Sequence, residues 1–182
     1  RTIVWRGQDG AYGQCPAGDP TATQAVQYTN TGFAVDTSGR FYLGYANAQR
    51  DGRGVVRISA DGSSCDYLTA TGTRADGLTR GTGPALGGFV QGFSLRGNAL
   101  IATTTQPKLL VSIDLTSGNR TVLYTGANAG EIGERWTAWD AARNVYWTVG
   151  LINSVTIVAF DPTQNKRLDL FQGCGDPDFP WY

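Results

Sequence analysis

Apolar and polar positions in this chain alternate in short runs separated by turn formers, and residues 109–126 show the pattern most plainly. Leu109-Leu110-Val111-Ser112-Ile113 and Arg120-Thr121-Val122-Leu123-Tyr124 are rich in β-branched and apolar residues and flank Asp114-Leu115-Thr116-Ser117-Gly118-Asn119. Asp, Asn and Gly tolerate left-handed backbone, so the stretch predicts a β-hairpin. The pattern returns at Val155–Phe171, with Asp161 in the place of Asp114, and more loosely at Val55–Gly62. Arg1–Gly7 (Arg-Thr-Ile-Val-Trp-Arg-Gly) matches Arg120–Gly126 (Arg-Thr-Val-Leu-Tyr-Thr-Gly). The chain is therefore expected to open on the second strand of a hairpin. A repeat of this size built from short strands points to a propeller or array.

Extended along the chain, the same reasoning predicts an all-β protein, a β-propeller-like array of about three four-stranded blades. The blades are expected at approximately 31–70, 92–126 and 136–171 within one domain, 1–182, with 1–7 as an orphan outer strand and 172–182 as an aromatic tail. Asp36, Asp61, Asp114, Asp140 and Asp161 recur in the turns, where their side chains are expected to cap backbone amides. Connections within hairpins (36–40, 59–63, 96–98, 114–119, 140–144 and 161–166) are short and belong to one face. The interblade connectors 8–30, 71–91 and 126–135 and the mid-blade loops 45–54, 103–107 and 150–154 read as longer and belong to the other. Long loops on a rigid frame are where binding resides, so this second face is the candidate.

The run Gly-Thr-Gly-Pro-Ala-Leu at 81–86, the Gly-Phe-Ser-Leu strand at 92–95 and Ile-Asp-Leu-Thr-Ser-Gly-Asn-Arg-Thr-Val-Leu at 113–123 resemble the blades of secreted bacterial β-propellers of the NHL, YVTN and gluconolactonase-like type. The resemblance implies architecture rather than chemistry, because propellers host many unrelated functions. Complete propellers carry four to eight blades. Three blades and one strand are thus expected to be part of a larger propeller, or of one that another protein chain or a second copy completes.

Composition narrows the function. At 182 residues and 41% hydrophobic content the chain is long enough for a core. Fifteen Lys and Arg balance fifteen Asp and Glu, which gives no global pull toward nucleic acid or an anionic membrane. No apolar run is long enough to span a bilayer. Met is absent, so residue 1 is not expected to be the translation start: a leader or a larger upstream segment has been removed or lies outside this chain. The expected location is extracytoplasmic, periplasmic or secreted. Cys15, Cys65 and Cys174 form no CxxC pair; they read as one disulfide with one thiol left over, or as three reduced cysteines.

With no His in the chain there is no imidazole base, Ser-His-Asp triad or histidine metal site, and no catalytic residue, metal or cofactor is assigned. A gluconolactonase-like reading would need a carboxylate and amide cluster on a metal, for which Glu131 and Glu134 with Asn128 are the available oxygens. Solvated loop charge is the simpler reading of these. Arg50, Arg53, Arg74, Arg80 and Arg135 gather on the long-loop face with Trp136, and interfaces favour Arg and Trp. Trp5, Trp139 and Trp147 fall inside strand patterns and read as packing. In the tail, Phe179, Trp181 and Tyr182 form an aromatic terminus suited to inserting into a groove. The expected function is that of a non-enzymatic binding or assembly subunit recognising protein; the alternatives are a metal-dependent propeller enzyme and a carbohydrate-binding propeller. The two classes separate on chelation. The melting temperature is expected to be unmoved by EDTA or added calcium, because only a metal-dependent fold gains stability from the ion.

Overall fold

The computed structural model describes residues 33–47, 52–71, 80–125, 136–150, 156–164 and 166–172. Strands β1 (Phe33–Val35), β2 (Phe41–Asn47), β3 (Gly52–Ile58) and β4 (Cys65–Thr71) form a first sheet. The second comprises β5 (Val90–Arg96), β6 (Ala99–Thr105), β7 (Lys108–Asp114) and β8 (Arg120–Thr125). The third comprises β9 (Trp136–Asp140), β10 (Val145–Gly150), β11 (Thr156–Asp161) and β12 (Lys166–Gln172). Each sheet is an antiparallel meander in chain order, and no helix occurs among the described residues, as the alternation in the sequence requires.

The turns form for the reason expected. Asp36 accepts from the Ser38 and Arg40 amides, Asp61 from Ser63, Asp114 from Thr116 and Ser117, Asp140 from Ala142 and Arg143, and Asp161 from Thr163 and Gln164. Three details differ from expectation. The mid-blade loop expected at 45–54 is shorter, because Tyr45, Ala46 and Asn47 pair with Gly54, Arg53 and Gly52. β5 begins at Val90, inside the expected connector, because Val90 is fully buried between sheets. Residues 103–107 are not a long loop either: Thr103, Thr104 and Thr105 pair with Leu110, Leu109 and Lys108, leaving Gln106-Pro107 as the whole turn. Thr104 Oγ1 donates to the Pro107 carbonyl at 2.5 Å and accepts from the Leu109 amide at 3.2 Å, so a hydroxyl closes what composition alone reads as open.

A feature invisible in the sequence recurs in all three sheets. The outer strand pair slips register between Val55 and Val56, between Leu110 and Val111, and between Ile157 and Val158. The extra residue opposite is Leu68, Leu123 and Leu170 in turn, so each outer strand carries a β-bulge at the same leucine. A bulge raises local twist, and repeating it gives each sheet the same twisted profile.

Two apolar seams join the sheets. Ala34, Tyr42, Val55 and Leu68 of the first meet Val90, Leu100, Val111 and Ile113 of the second. Ile101 and Leu110 of the second meet Tyr146 and Phe160 of the third, where Tyr124 lies against Phe160 at 4.8 Å. Strand parity places Phe33 and Val35, on either side of buried Ala34, on the face of β1 turned away from the second sheet, and both are exposed. Cys65 is disulfide-bonded, which removes the fully reduced alternative. Its partner, Cys15 or Cys174, lies outside the described residues, as do the expected strand 1–7 and, of the expected tail 172–182, all but Gln172, which ends β12.

The first seam sets one substitution apart. Gly118 has φ 72° and a Cβ there would overlap the Leu68 carbonyl oxygen at the bulge of the neighbouring sheet, whereas Gly97, φ 55°, faces open space. Gly97→Ala is expected to cost only the left-handed penalty of about 1–2 kcal/mol, and Gly118→Ala clearly more, about 3 kcal/mol or above. Urea unfolding of the two variants checks the difference.

Candidate functional site

The meanders place the turns between the first and second strands and between the third and fourth strands of every sheet at one end, and the starts of β3, β5, β7 and β9 at the other. The turn end holds the carboxylates Asp36, Asp61, Asp66, Asp114, Asp140 and Asp161. Most are engaged by their own surroundings. Asp36 accepts from Tyr42 Oη at 2.8 Å and Arg40 Nε at 2.7 Å. Burial works against its charge, but hydrogen bonds from Tyr42, Arg40 and Ser38 outweigh it and hold the pKa down. Ser59 and Ser63 hold the exposed Asp61 carboxyl down to about 2. The Ser117 amide and hydroxyl lower Asp114, and the Arg143 guanidinium lowers Asp140. Burial first, and then the hydrogen bond to Asp36 with its charge, push the Tyr42 phenol up to about 12. The charges of Asp36, Asp61, Asp114 and Asp140 are favoured because they cap turns, which is a structural use of charge.

Two arginines at the same end bridge sheets. Arg57 pairs with Asp66 through Nε at 3.0 Å and Nη2 at 2.6 Å, and donates from Nη1 to the Leu115 carbonyl of the second sheet at 3.2 Å. Arg96 lies over the Trp139 ring at 4.2 Å and donates to Tyr146 Oη at 3.1 Å and Asn144 Oδ1 at 3.3 Å, all in the third sheet. Trp139 is thus packing, as its strand position predicts, with a cation on its face.

At the loop end the described charges are Arg53, Arg80 and Lys108, and no carboxylate with a described side chain lies there. Arg53 opens β3 and is half-buried, with its Nε shielded from solvent. Arg80 is exposed. Its backbone is fixed: its amide and carbonyl pair with Ala70 of β4, and Thr69 Oγ1 donates to the carbonyl at 3.2 Å. Trp136, at the start of β9, is 55% exposed, and Phe89 just before β5 is exposed too. Arg53 and Trp136 are therefore at the loop end; Arg80 is at the loop end of the first sheet, where it pairs with the end of β4, and beside the 118–120 turn of the second, while Arg50, Arg74, Arg135, Phe179, Trp181 and Tyr182 lie outside the described residues, as do Asn128, Glu131 and Glu134.

Sequence reasoning missed Phe89, taken as part of a connector, and Arg120, taken only as a repeat position. Arg120 is 6% exposed. Its Nε donates to the Pro84 carbonyl at 2.8 Å, Nη1 to the Arg80 carbonyl at 2.8 Å and to Thr69 Oγ1, and Nη2 to the Gly81 and Gly83 carbonyls at 3.4 and 3.5 Å. All five N–H donors of the guanidinium are used. The connector carrying Arg80 and Phe89 is thereby built onto the second sheet.

No protein-family model matches the chain, and no curated protein matches it. Among solved structures, a nidogen/laminin complex is similar with a TM-score of 0.58 at 16% identity, over 78% of this chain and 48% of that one. A puromycin hydrolase is similar with a TM-score of 0.50 at 16% identity, over 76% of this chain and 21% of that one. The chain thus spans less than half the length of either. Likeness at this identity speaks for the fold: the three sheets are blades of a partial β-propeller.

The Tyr42–Asp36 pair yields a pH dependence with a definite sign. The folded state holds the phenolic proton more tightly than the unfolded chain, whose tyrosine titrates near pH of about 10. The stabilisation is therefore complete below about 10 and lost as pH rises toward about 12. Tyr42→Phe is expected to lower stability at neutral pH by about 1 kcal/mol and to flatten the alkaline decline, as read by urea midpoints across that range.

Proposed function

We propose that this chain is a non-enzymatic binding subunit that recognises another protein through the loop end of its propeller blades. The observation that carries the reading is the exposure of Arg80, Phe89 and Trp136 beside strands held by two apolar seams, with Arg53 and Lys108 half-buried behind them. Arg and aromatic side chains on a rigid frame are what protein interfaces use at their energetic centres. The structural likeness to a nidogen/laminin complex, itself an assembly of proteins, supports the same class of role. Arg50, Arg74 and Arg135, from the adjoining connectors, and the aromatic tail residues Phe179, Trp181 and Tyr182 extend the proposed surface.

The disulfide at Cys65 supports an extracytoplasmic location, periplasmic or secreted, since such bonds persist where the surroundings are oxidising. Repeat composition supports a blade of the NHL, YVTN or gluconolactonase-like bacterial type. Exposed Phe33 and Val35 on the outward face of β1 support covering of that face by further blades of a larger propeller, by another chain or by a second copy.

A photo-cross-linker placed at Arg80 is expected to trap a protein partner, and one placed at Thr163 in the turn end is not. With that partner purified, Arg80→Glu combined with Trp136→Ala should weaken its affinity by at least about tenfold, while Arg143→Glu at the turn end leaves it unchanged. Equal affinity for all three proteins would place recognition elsewhere.

A further inference from the structure

Residues 80–89 leave the outer strand of the first sheet and reach the inner strand of the second without regular secondary structure of their own. At one end Arg80 pairs with Ala70; at the other the Phe89 amide donates to Thr105 Oγ1 at 2.9 Å and its carbonyl accepts from the Thr105 amide at 3.2 Å. Between them the Thr82 amide and hydroxyl donate to Asn119 Oδ1 at 2.8 and 3.0 Å. The Leu86 amide donates to Thr71 Oγ1 at 2.9 Å, and the same hydroxyl donates back to the Leu86 carbonyl at 3.1 Å. The Leu86 side chain is buried in the seam with Tyr42, Val55 and Val90.

We infer that residues 80–89 are a strap that docks and releases as one unit, with the Arg120 guanidinium as its latch and the seam between the first two sheets as what its release uncovers. Four carbonyls of the strap, from Arg80, Gly81, Gly83 and Pro84, converge on one planar, rigid group. Displacing one of them turns the plane against the others. Gly83 sits so close to Arg120 that a Cβ would overlap the Arg120 carbonyl oxygen, and the Arg120 amide donates to Thr82 O at 2.8 Å, so the strap and the start of β8 are in contact along both main chains. Beyond Pro84, Leu86 is the strap's apolar anchor in the seam, and its amide and carbonyl both depend on the Thr71 hydroxyl. A ten-residue segment fixed at both ends by such interlocked contacts has no intermediate position that keeps half of them. Release moves Arg80 and Phe89 and withdraws Leu86 from between the sheets.

The inference is independent of the proposed binding role, because its test needs no partner. Native-state hydrogen exchange of the folded chain reads the amides of Arg80, Thr82, Leu86 and Phe89 against those of Leu100 and Val111 in the sheet interior. In the parent protein the four strap amides are expected to share one opening equilibrium, less protected than the sheet interior. Arg120→Lys, which keeps the charge and loses the planar fork, should speed all four by a common factor of about tenfold or more and leave Leu100 and Val111 unmoved. Thr71→Val acts from the other end, and the same four amides should respond together. If Arg120→Lys affects only Arg80 and Thr82, or Thr71→Val only Leu86, the segment docks piecewise and the inference is overturned. Should Arg120→Lys fail to fold, the Thr71→Val result alone decides, in the same two ways.

Discussion

One buried cation sets the terms on which the first two blades meet. Removing a guanidinium from water costs several kcal/mol, on the order recovered only when every donor finds an acceptor. Arg120 meets that condition with four main-chain carbonyls and one hydroxyl. The carbonyls have the converse problem: they belong to a connector with no ladder of its own, and buried backbone oxygens need donors. One side chain answers both demands, which is why a glycine-rich segment that is largely exposed apart from Leu86 is held against the start of β8. Asn119, immediately before Arg120, repeats the device on a smaller scale by accepting both donors of Thr82.

The other inter-sheet arginines follow the same logic with less burial. Arg57 brings its carboxylate partner from its own sheet and uses the remaining Nη1 to reach the next, while Arg96 is received by aromatic faces and a hydroxyl. In each case the apolar seam supplies most of the attraction, since it excludes water over many side chains. The polar latch fixes the relative height of the sheets, which greasy contacts leave loosely specified. Arg143 with Asp140 is a useful contrast: 72% of that side chain is exposed, and such a pair contributes little.

What the sequence disclosed follows the range of the forces involved. Strand runs and Asp-capped turns depend on neighbours within a few residues, so Asp36, Asp61, Asp114, Asp140 and Asp161 could be assigned from composition alone. The bulges at Leu68, Leu123 and Leu170 could not, because pairing register is settled between strands and leaves no mark on a leucine. Residues 103–107 misled because threonines beside a proline look like a loop until the Thr104 hydroxyl is seen closing the turn. Arg120 was hidden for a deeper reason: its partners are carbonyls 36 to 40 positions away, and a carbonyl has no side-chain signature. Of the proposed site, Arg80 and Trp136 are exposed and Arg53 is half-buried, a difference in burial that the residue types alone do not disclose.

The division between the two ends has a physical origin that bears on recognition. At the turn end, short connections force each carboxylate back onto its own amides, and the arginines there are spent on Asp36, Asp66, Asp140 and the neighbouring sheet. Little hydrogen-bonding capacity is left to offer a partner. At the loop end the main chain of Arg80 is fully occupied while its side chain projects into solvent, and Phe89 and Trp136 stand exposed at the starts of buried strands. A side chain that is mobile only at its tip loses little entropy on binding, since its backbone is already ordered. Rigid main chain beneath exposed Arg and aromatic side chains is therefore the combination that lowers the cost of association, and in this fold only the loop end has it among the described residues.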